Sequence, residues 1–228
     1  RRAVYALRDA RFDNISLDLI YGVPGQSAAD LEADLSEALA LEPEHLSCYE
    51  LEAKPGTRFS HAHGAELARQ ADRMETYFER VVARLTGAGY RWYETANFCR
   101  PAVLARGRDL RSRHNLAYWR GQDYLGLGIG AVSTIRGRRW RTTPKLGGYL
   151  SALAAGGRPP CEVEELPAQV RRSERVLLGL RLDEPLLLEG LEEAVDPAAV
   201  DRLRRLGLVE SGDGGAQLAL TEHGRFLG

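Results

Sequence analysis

Several places in this sequence bring together side chains able to do chemistry. The first is Asp18, within Asn14 to Gln26 (NISLDLIYGVPGQ). A carboxylate facing a pocket needs a partner, because an unpaired buried charge is costly or changes its protonation. It either hydrogen-bonds a polar ligand, such as a ribose or an amino group, or pairs structurally with an arginine or backbone amides. The second place is His114-Asn115-Leu116-Ala117-Tyr118, set among Tyr118, Trp119 and Tyr124. On a helical turn His114 and Tyr118 share a face, and imidazole and phenolate are both haem-iron ligand types. Arg111, Arg113 and Arg120 are suited to propionates. Spacing alone favours the plainer reading, a satisfied histidine on the surface or in the core. The third is His61-Ala62-His63, which in a strand would present two imidazoles on one face. With no further ligand at suitable spacing, it reads as an exposed loop. Tyr21 to Gln26 has turn glycines but neither GxGxxG nor Walker spacing, so it reads as a tight strand-to-helix turn.

These residues need elements to position them. Asn14–Tyr21 reads as a strand with Asp18 at the inward parity near its end. Apolar residues on both parities suggest a parallel strand covered on both sides. Ser27 is a candidate N-cap with Asp30 as an imperfect capping-box partner, and Leu31, Leu35, Ala38 and Leu39 follow at helical spacing. His45–Leu51 is a second strand, about Glu66 to Thr86 a long helix, and Tyr90–Phe98 a third strand. Strand–helix alternation implies βαβ units and a parallel sheet, with ligands at the strand tips. Those tips are Asp18–Gln26, Glu50–Thr57 and Glu94–Phe98. The arginine-rich stretch 99–115 reads as a surface loop, Trp140–Thr143 as a short strand and Gly148–Ala155 as a short helix.

Gly156 to Pro160 (GGRPP) is the clearest linker. Beyond it the pattern predicts helices at Gln169–Leu180, Leu186–Ala194 and Pro197–Leu206, a small hairpin and a terminal helix. That describes a winged-helix-like module. Such modules suggest DNA, but the basic stripe on 197–206 (Arg202, Arg204, Arg205) is thin and acidic residues precede it. A packing or partner role fits better.

Composition narrows the rest. A net charge of -1 gives no reason to expect nucleic-acid or membrane binding. The three cysteines, Cys48, Cys99 and Cys161, are odd in number and far apart, which fits a reducing cytoplasm and neither a disulfide framework nor a CxxC-type metal site. No apolar run reaches membrane-spanning length. The chain opens on Arg1, its only methionine is Met74, and RRAVYALRDARF reads as the second half of a helix. The expectation is that further residues precede it.

The ordered run LDLIYGVPGQS, LEPEHLSCYELEAKPGT, YETANF, RHNLAYWRGQDYLGLGIGA, RVLLGLRL and GLVE…LALTEHGRFL resembles one family over essentially the whole chain. It is similar to the radical S-adenosylmethionine (SAM) proteins of the oxygen-independent coproporphyrinogen III oxidase group, most of all to HemW-type haem chaperones. The resemblance implies an α/β fold: residues 1–157 as the C-terminal part of a (β/α) TIM-type barrel with a haem-binding segment, and 158–228 as the small winged-helix-like domain. It implies SAM contacts at Asp18 and Glu52, haem contacts at His114 and Tyr118 with His114 on the iron, and a [4Fe-4S] cluster whose CxxxCxxC cysteines lie upstream. Cargo would be haem, delivered to an acceptor such as a respiratory enzyme. The alternative is SAM-radical oxidative decarboxylation of coproporphyrinogen III; a DNA-binding regulator is a weaker one. This portion alone would be inactive as an oxidase. Departures are Val132 where the family commonly has histidine, and an Arg-rich insertion between Phe98 and His114. An incomplete barrel would expose a sheet edge and invite self-association.

Overall fold

Alternation along the first strands explains the architecture. The computed structural model describes residues 1–102 and 107–227. The chain divides into two compact units, Arg1–Arg111 and Ser112–Gly228.

In the first unit, α1 (Arg2–Asp9) leads into β1 (Ser16–Tyr21), α2 (Ala28–Ala40), β2 (His45–Glu50), α3 (Arg58–Gln70), α4 (Met74–Gly87), β3 (Arg91–Glu94) and β4 (Asn97–Cys99). The sheet order is β1-β2-β4-β3. β1 and β2 are parallel, as the helix between them requires, but β4 enters antiparallel to β2. The stretch expected as one third strand is thus a hairpin, turned at Thr95-Ala96, whose second arm slots between β2 and β3.

The register sorts the side chains into rows. Leu17, Leu46, Phe98 and Trp92 stand opposite one another across the four strands. This apolar side is covered by helix: α4 lies against β2, β3 and α2. Its Val81, Val82 and Leu85 are buried, as are Leu31 and Leu35 of α2. Phe78 meets Trp92 edge-on at 5.7 Å, and Trp92 stacks along Phe98. The next row, of opposite parity, is polar: Asp18, Ser47, Asn97 and Glu94. The expectation that β1 is covered on both sides needs correction: Ser16, Asp18 and Ile20 are exposed on the polar side. β1 is also the first strand in the sheet order, with one neighbour.

Ser27 caps α2 with a full capping box, its hydroxyl accepting from Asp30 N and the Asp30 carboxylate accepting from Ser27 N. Those bonds hold Asp30 below the usual carboxylate range. The helix expected from Glu66 begins eight residues earlier, at Arg58, because Thr57 caps it by accepting from Ser60 N. A 3-10 turn at Ala71–Arg73 then separates α3 from α4.

The second unit contains α5 (Arg113–Trp119), β5 (Val132–Ile135), β6 (Arg138–Thr142), α6 (Leu146–Ala154) and β7 (Cys161–Glu165), then α7 (Ala168–Gly179), β8 (Leu186–Leu187), α8 (Pro197–Arg205), β9 (Val209–Gly212), β10 (Gln217–Leu220) and α9 (Glu222–Phe226). The Gly156–Pro160 stretch lies inside this unit and carries the chain from α6 into β7, which pairs antiparallel with β6. A second three-stranded sheet has the order β8-β10-β9. The helix expected over Leu186–Ala194 is absent. Leu186 pairs instead with Leu218 of β10, Gly190 takes φ 74°, and only a 3-10 turn at Glu192–Ala194 remains. Within 99–115, Arg113 onward is helical, and residues 103–106 lie outside the described set. No helix among the described residues is long and apolar enough to cross a membrane.

Candidate functional site

The polar side of the first sheet grades from open to closed. Asp18 is exposed, whereas Ser47, Asn97 and Glu94 are buried. Glu94 accepts from Asn97 Nδ2 and from the Ala96 amide, and Asn97 Oδ1 is buried without a hydrogen-bond partner. One rung towards the N-terminal end of β1, His45 Nδ1 pairs with Ser16 Oγ and Nε2 with Tyr93 OH, each at 2.8 Å. Burial pushes the His45 imidazole down to about 4, against a smaller upward pull from the Asp18 carboxylate. Burial pushes the Cys48 thiol up to about 12, and Asp18 adds to the shift. Asp18 thus sits near the middle of β1 as an open carboxylate, able to accept hydrogen bonds from hydroxyl or amino groups.

The turn after β1 is held by its own surroundings. Gly22 N donates to Gln26 Oε1 at 2.8 Å, and Gln26 N donates to Val23 O. Gln70 Nε2 donates to Gly22 O at 2.7 Å, and Tyr77 OH to Gln26 O at 2.9 Å. Gly22 has φ 77°, and a Cβ there would lie 2.6 Å from Met74 Sδ. The Gly22 and Gln26 amides are thus engaged within a packed turn. Glu52, beyond β2, is well exposed and pairs with Lys54 at 3.6 Å.

His61 and His63 fall on α3, not in a loop. Two residues apart on a helix they point to different sides, and the His63 ring packs against Phe59 at 4.9 Å. Among the described residues, no group of three or more His, Cys, Asp or Glu side chains is arranged to hold a metal ion. Cys48 and Cys99 are buried and Cys161 is exposed.

In the second unit, Ser112 caps α5 by accepting from Asn115 N, and Leu116 anchors the helix. The opposite face carries His114 and Tyr118, both exposed, with ring centroids 4.9 Å apart and edge-on. Tyr118 in turn meets Tyr124 at 4.6 Å. The i, i+4 spacing therefore builds one ring cluster open to solvent. Of the arginines around it in sequence, Arg111 pairs with Asp109 at 2.8 Å and Arg120 with Glu184 at 2.7 Å. Arg113 is exposed beside His114 in the chain and forms no ion pair among the described residues. Arg181 lies over the Trp119 ring at 5.2 Å, which fixes the end of α5.

Sequence reasoning passed over the His45–Tyr93–Ser16 chain and the Glu94–Asn97 pair. The alternation of polar residues at 45, 47 and 97 with Leu46, Cys48 and Phe98 was visible, but not which side chains would pair. It passed over a third feature too. A cavity of about 560 Å³ beside α8 is lined by Leu187, Val200 and Leu218 with Glu189, Glu192 and Asp201. Arg204 is held there by Asp201 at 2.7 Å and by Ser211. These carboxylates oppose a phosphate backbone.

No family model matches the chain. It is 35% identical to the heme chaperone HemW of Mycobacterium tuberculosis, over 95% of this chain and 53% of that protein. It is 31% identical to HemW of Bacillus subtilis, over 97% and 58%, and 30% identical to HemW of Escherichia coli, over 94% and 55%. The chain thus spans about half the length of the curated relatives it matches. Among solved structures it is similar to coproporphyrinogen III oxidase (HemN) from Escherichia coli, described as a radical SAM enzyme. The TM-score is 0.78 at 22% identity, over 99% of this chain and 55% of that one. That likeness concerns the fold.

Proposed function

We propose, from the premise that this chain is a homologue of the HemW-type heme chaperones of the oxygen-independent coproporphyrinogen III oxidase family, that it binds haem at the His114–Tyr118 face and passes it to an acceptor protein. The observation that carries this reading is the exposed edge-on pair His114 and Tyr118 on α5. A histidine that must take up and release a bulky iron porphyrin has to be reachable, and imidazole is a common axial ligand. Tyr118 would support the ring or supply an oxygen ligand, and Arg113 is free to meet a propionate. The acceptor would be a haem-requiring protein such as a respiratory enzyme, and the setting the cytoplasm.

SAM belongs to the same reading. The open carboxylate of Asp18 is suited to ribose hydroxyls or an amino group, and Glu52 stands beyond the neighbouring strand tip. The residues here do not fit a [4Fe-4S] cluster: two of three cysteines are buried, and among the described residues none stands in a metal-holding group. Cluster ligands would come from outside these 228 residues. In this reading β1, α2 and β2 close out a (β/α) barrel within residues 1–157. Residues 158–228 are a winged-helix-like module built on β8, β10 and β9. This is a division by ancestry, which need not follow the contact units.

Titration of the chain with haemin, followed by absorbance, tests the reading. His114→Ala should weaken binding about tenfold or more and alter the Soret band, as loss of an axial ligand requires. Unchanged affinity and spectrum would remove His114 from the site. The oxidase alternative predicts that the full-length protein, given reductant and SAM, converts coproporphyrinogen III.

A further inference from the structure

Residues 186–194 leave a hollow because they do not form the helix that their spacing suggests. Leu186 and Leu187 pair with β10, Gly190 turns the chain at φ 74°, and a 3-10 turn follows at Glu192–Ala194. The cavity of about 560 Å³ lies between this irregular stretch, α8 and the β9–β10 hairpin. That is the size of a ligand pocket, roughly 300–1,000 Å³. Part of its lining is apolar: Leu218 is buried, and Val195 and Val200 are half-buried. Leu187 also lines it and is 60% exposed, so the apolar lining reaches the surface.

The charge of the cavity is one-sided. Four acidic residues line it, Glu189, Glu192, Asp201 and Asp213, against one basic residue, Arg204. The Arg204 guanidinium is already engaged, by Asp201 at 2.7 Å and by the Ser211 hydroxyl. Glu192 accepts from Gly190 N at 3.1 Å, which fixes its carboxylate at the turn without neutralising it. Glu189 and Asp213 pair with no cation among the described residues. The carboxylates come from three places: the stretch after β8, α8, and the turn between β9 and β10. A lone amine would answer one of them, whereas a chain segment with several basic side chains answers the set. The apolar lining takes an aliphatic side chain beside those charges. Nucleic acid and anionic lipid are repelled by the same carboxylates. We propose that this cavity docks a segment of a partner protein in which lysine or arginine flanks an aliphatic side chain. None of the residues involved belongs to the His114–Tyr118 face.

Fluorescence anisotropy of short fluorescein-labelled peptides, titrated with the whole 228-residue chain, tests this. A peptide alternating lysine and leucine should bind saturably, and more weakly as salt rises. Exchanging its lysines for glutamate, or its leucines for serine, should weaken binding about tenfold or more, because the charge or the apolar contact is lost. On the protein, Glu189→Gln/Asp213→Asn and Leu187→Ser should each weaken the lysine–leucine peptide about fivefold or more. All three side chains are exposed, so the fold should tolerate their replacement, and far-ultraviolet circular dichroism checks that it does. Glu162→Gln/Glu164→Gln, on the exposed β7 strand and outside the cavity, should leave the affinity unchanged. Absence of saturable binding would overturn the proposal, as would cavity variants within about twofold of the parent. So would equal weakening by the β7 variant, or a lysine–serine peptide that binds as tightly, since either shows attraction by net charge alone.

Discussion

His45 shows how one side chain ties the open and closed parts of the sheet together. Its two ring nitrogens are taken by Ser16 and Tyr93, so the neutral imidazole is the form the fold accepts. The folded value of about 4 lies below the ordinary 6.5. The unfolded chain therefore binds a proton more readily between those values, and stability rises with pH there. His45 contributes fully above about 6.5 and loses its contribution as the pH falls towards 4, on the order of 3 kcal/mol in all. Urea denaturation at pH 7 and pH 5 should show the parent losing more stability on acidification than His45→Gln. Equal losses would show that His45 does not carry the slope. At this scale the sequence was partly legible. Four-residue spacing placed His114 and Tyr118 on one face, and alternation separated Asp18 from Leu17 and Leu19, but Asp18 was expected inward near the strand's end and is exposed near its middle. The partners of His45 and Glu94 were not legible, because they come from a hairpin 48 residues away or from an unexpected turn.

Elements were legible where local chemistry marks their ends. Ser27 with Asp30 announced α2, which starts there, and the helix expected from Pro197 starts at that residue, capped by Asp196. Elements were misread where tertiary pairing overrides local pattern. LLLEGLEEA has helical spacing, yet Leu186 is needed beside Leu218. Tyr90–Phe98 has the length of one strand, but turning at Thr95-Ala96 buries Trp92 and Phe98 on the same side. The cap at Thr57, which starts α3, lay in plain view and was passed over. The terminal helix α9 offers the sharpest test of element packing. Thr221 caps it by accepting from Gly224 N, and Thr221 Oγ1 donates to Gly207 O. A Cβ on Gly224 would lie 1.9 Å from Leu208 O. Gly224→Ala should cost roughly 1–3 kcal/mol, the usual range for forced overpacking, read as a lower urea midpoint. An unchanged midpoint would mean that α9 is free to shift.

On the scale of the molecule, the half-length match and the sheet order bear on behaviour in solution. β1 stands at the edge of its sheet, with Ser16, Asp18 and Ile20 exposed beside it. Unpaired edge groups invite another strand, from the rest of a longer chain or from a second copy. Sedimentation velocity across a concentration series should give a rising weight-average coefficient for these 228 residues by themselves. A coefficient constant with concentration would mean the edge is inert. One further consequence lies in the turn after β1. Met74 fills the space that a Gly22 side chain would occupy, and it is the only methionine in the chain. A thioether is soft and adapts to such a gap, but it is also the group that peroxide attacks, and Met74 is only half-buried. Sulfoxidation would add a polar oxygen where not even a methyl group fits. Oxidative damage of that kind would therefore fall on the contact between the turn after β1 and the first residue of α4, and on no other methionine.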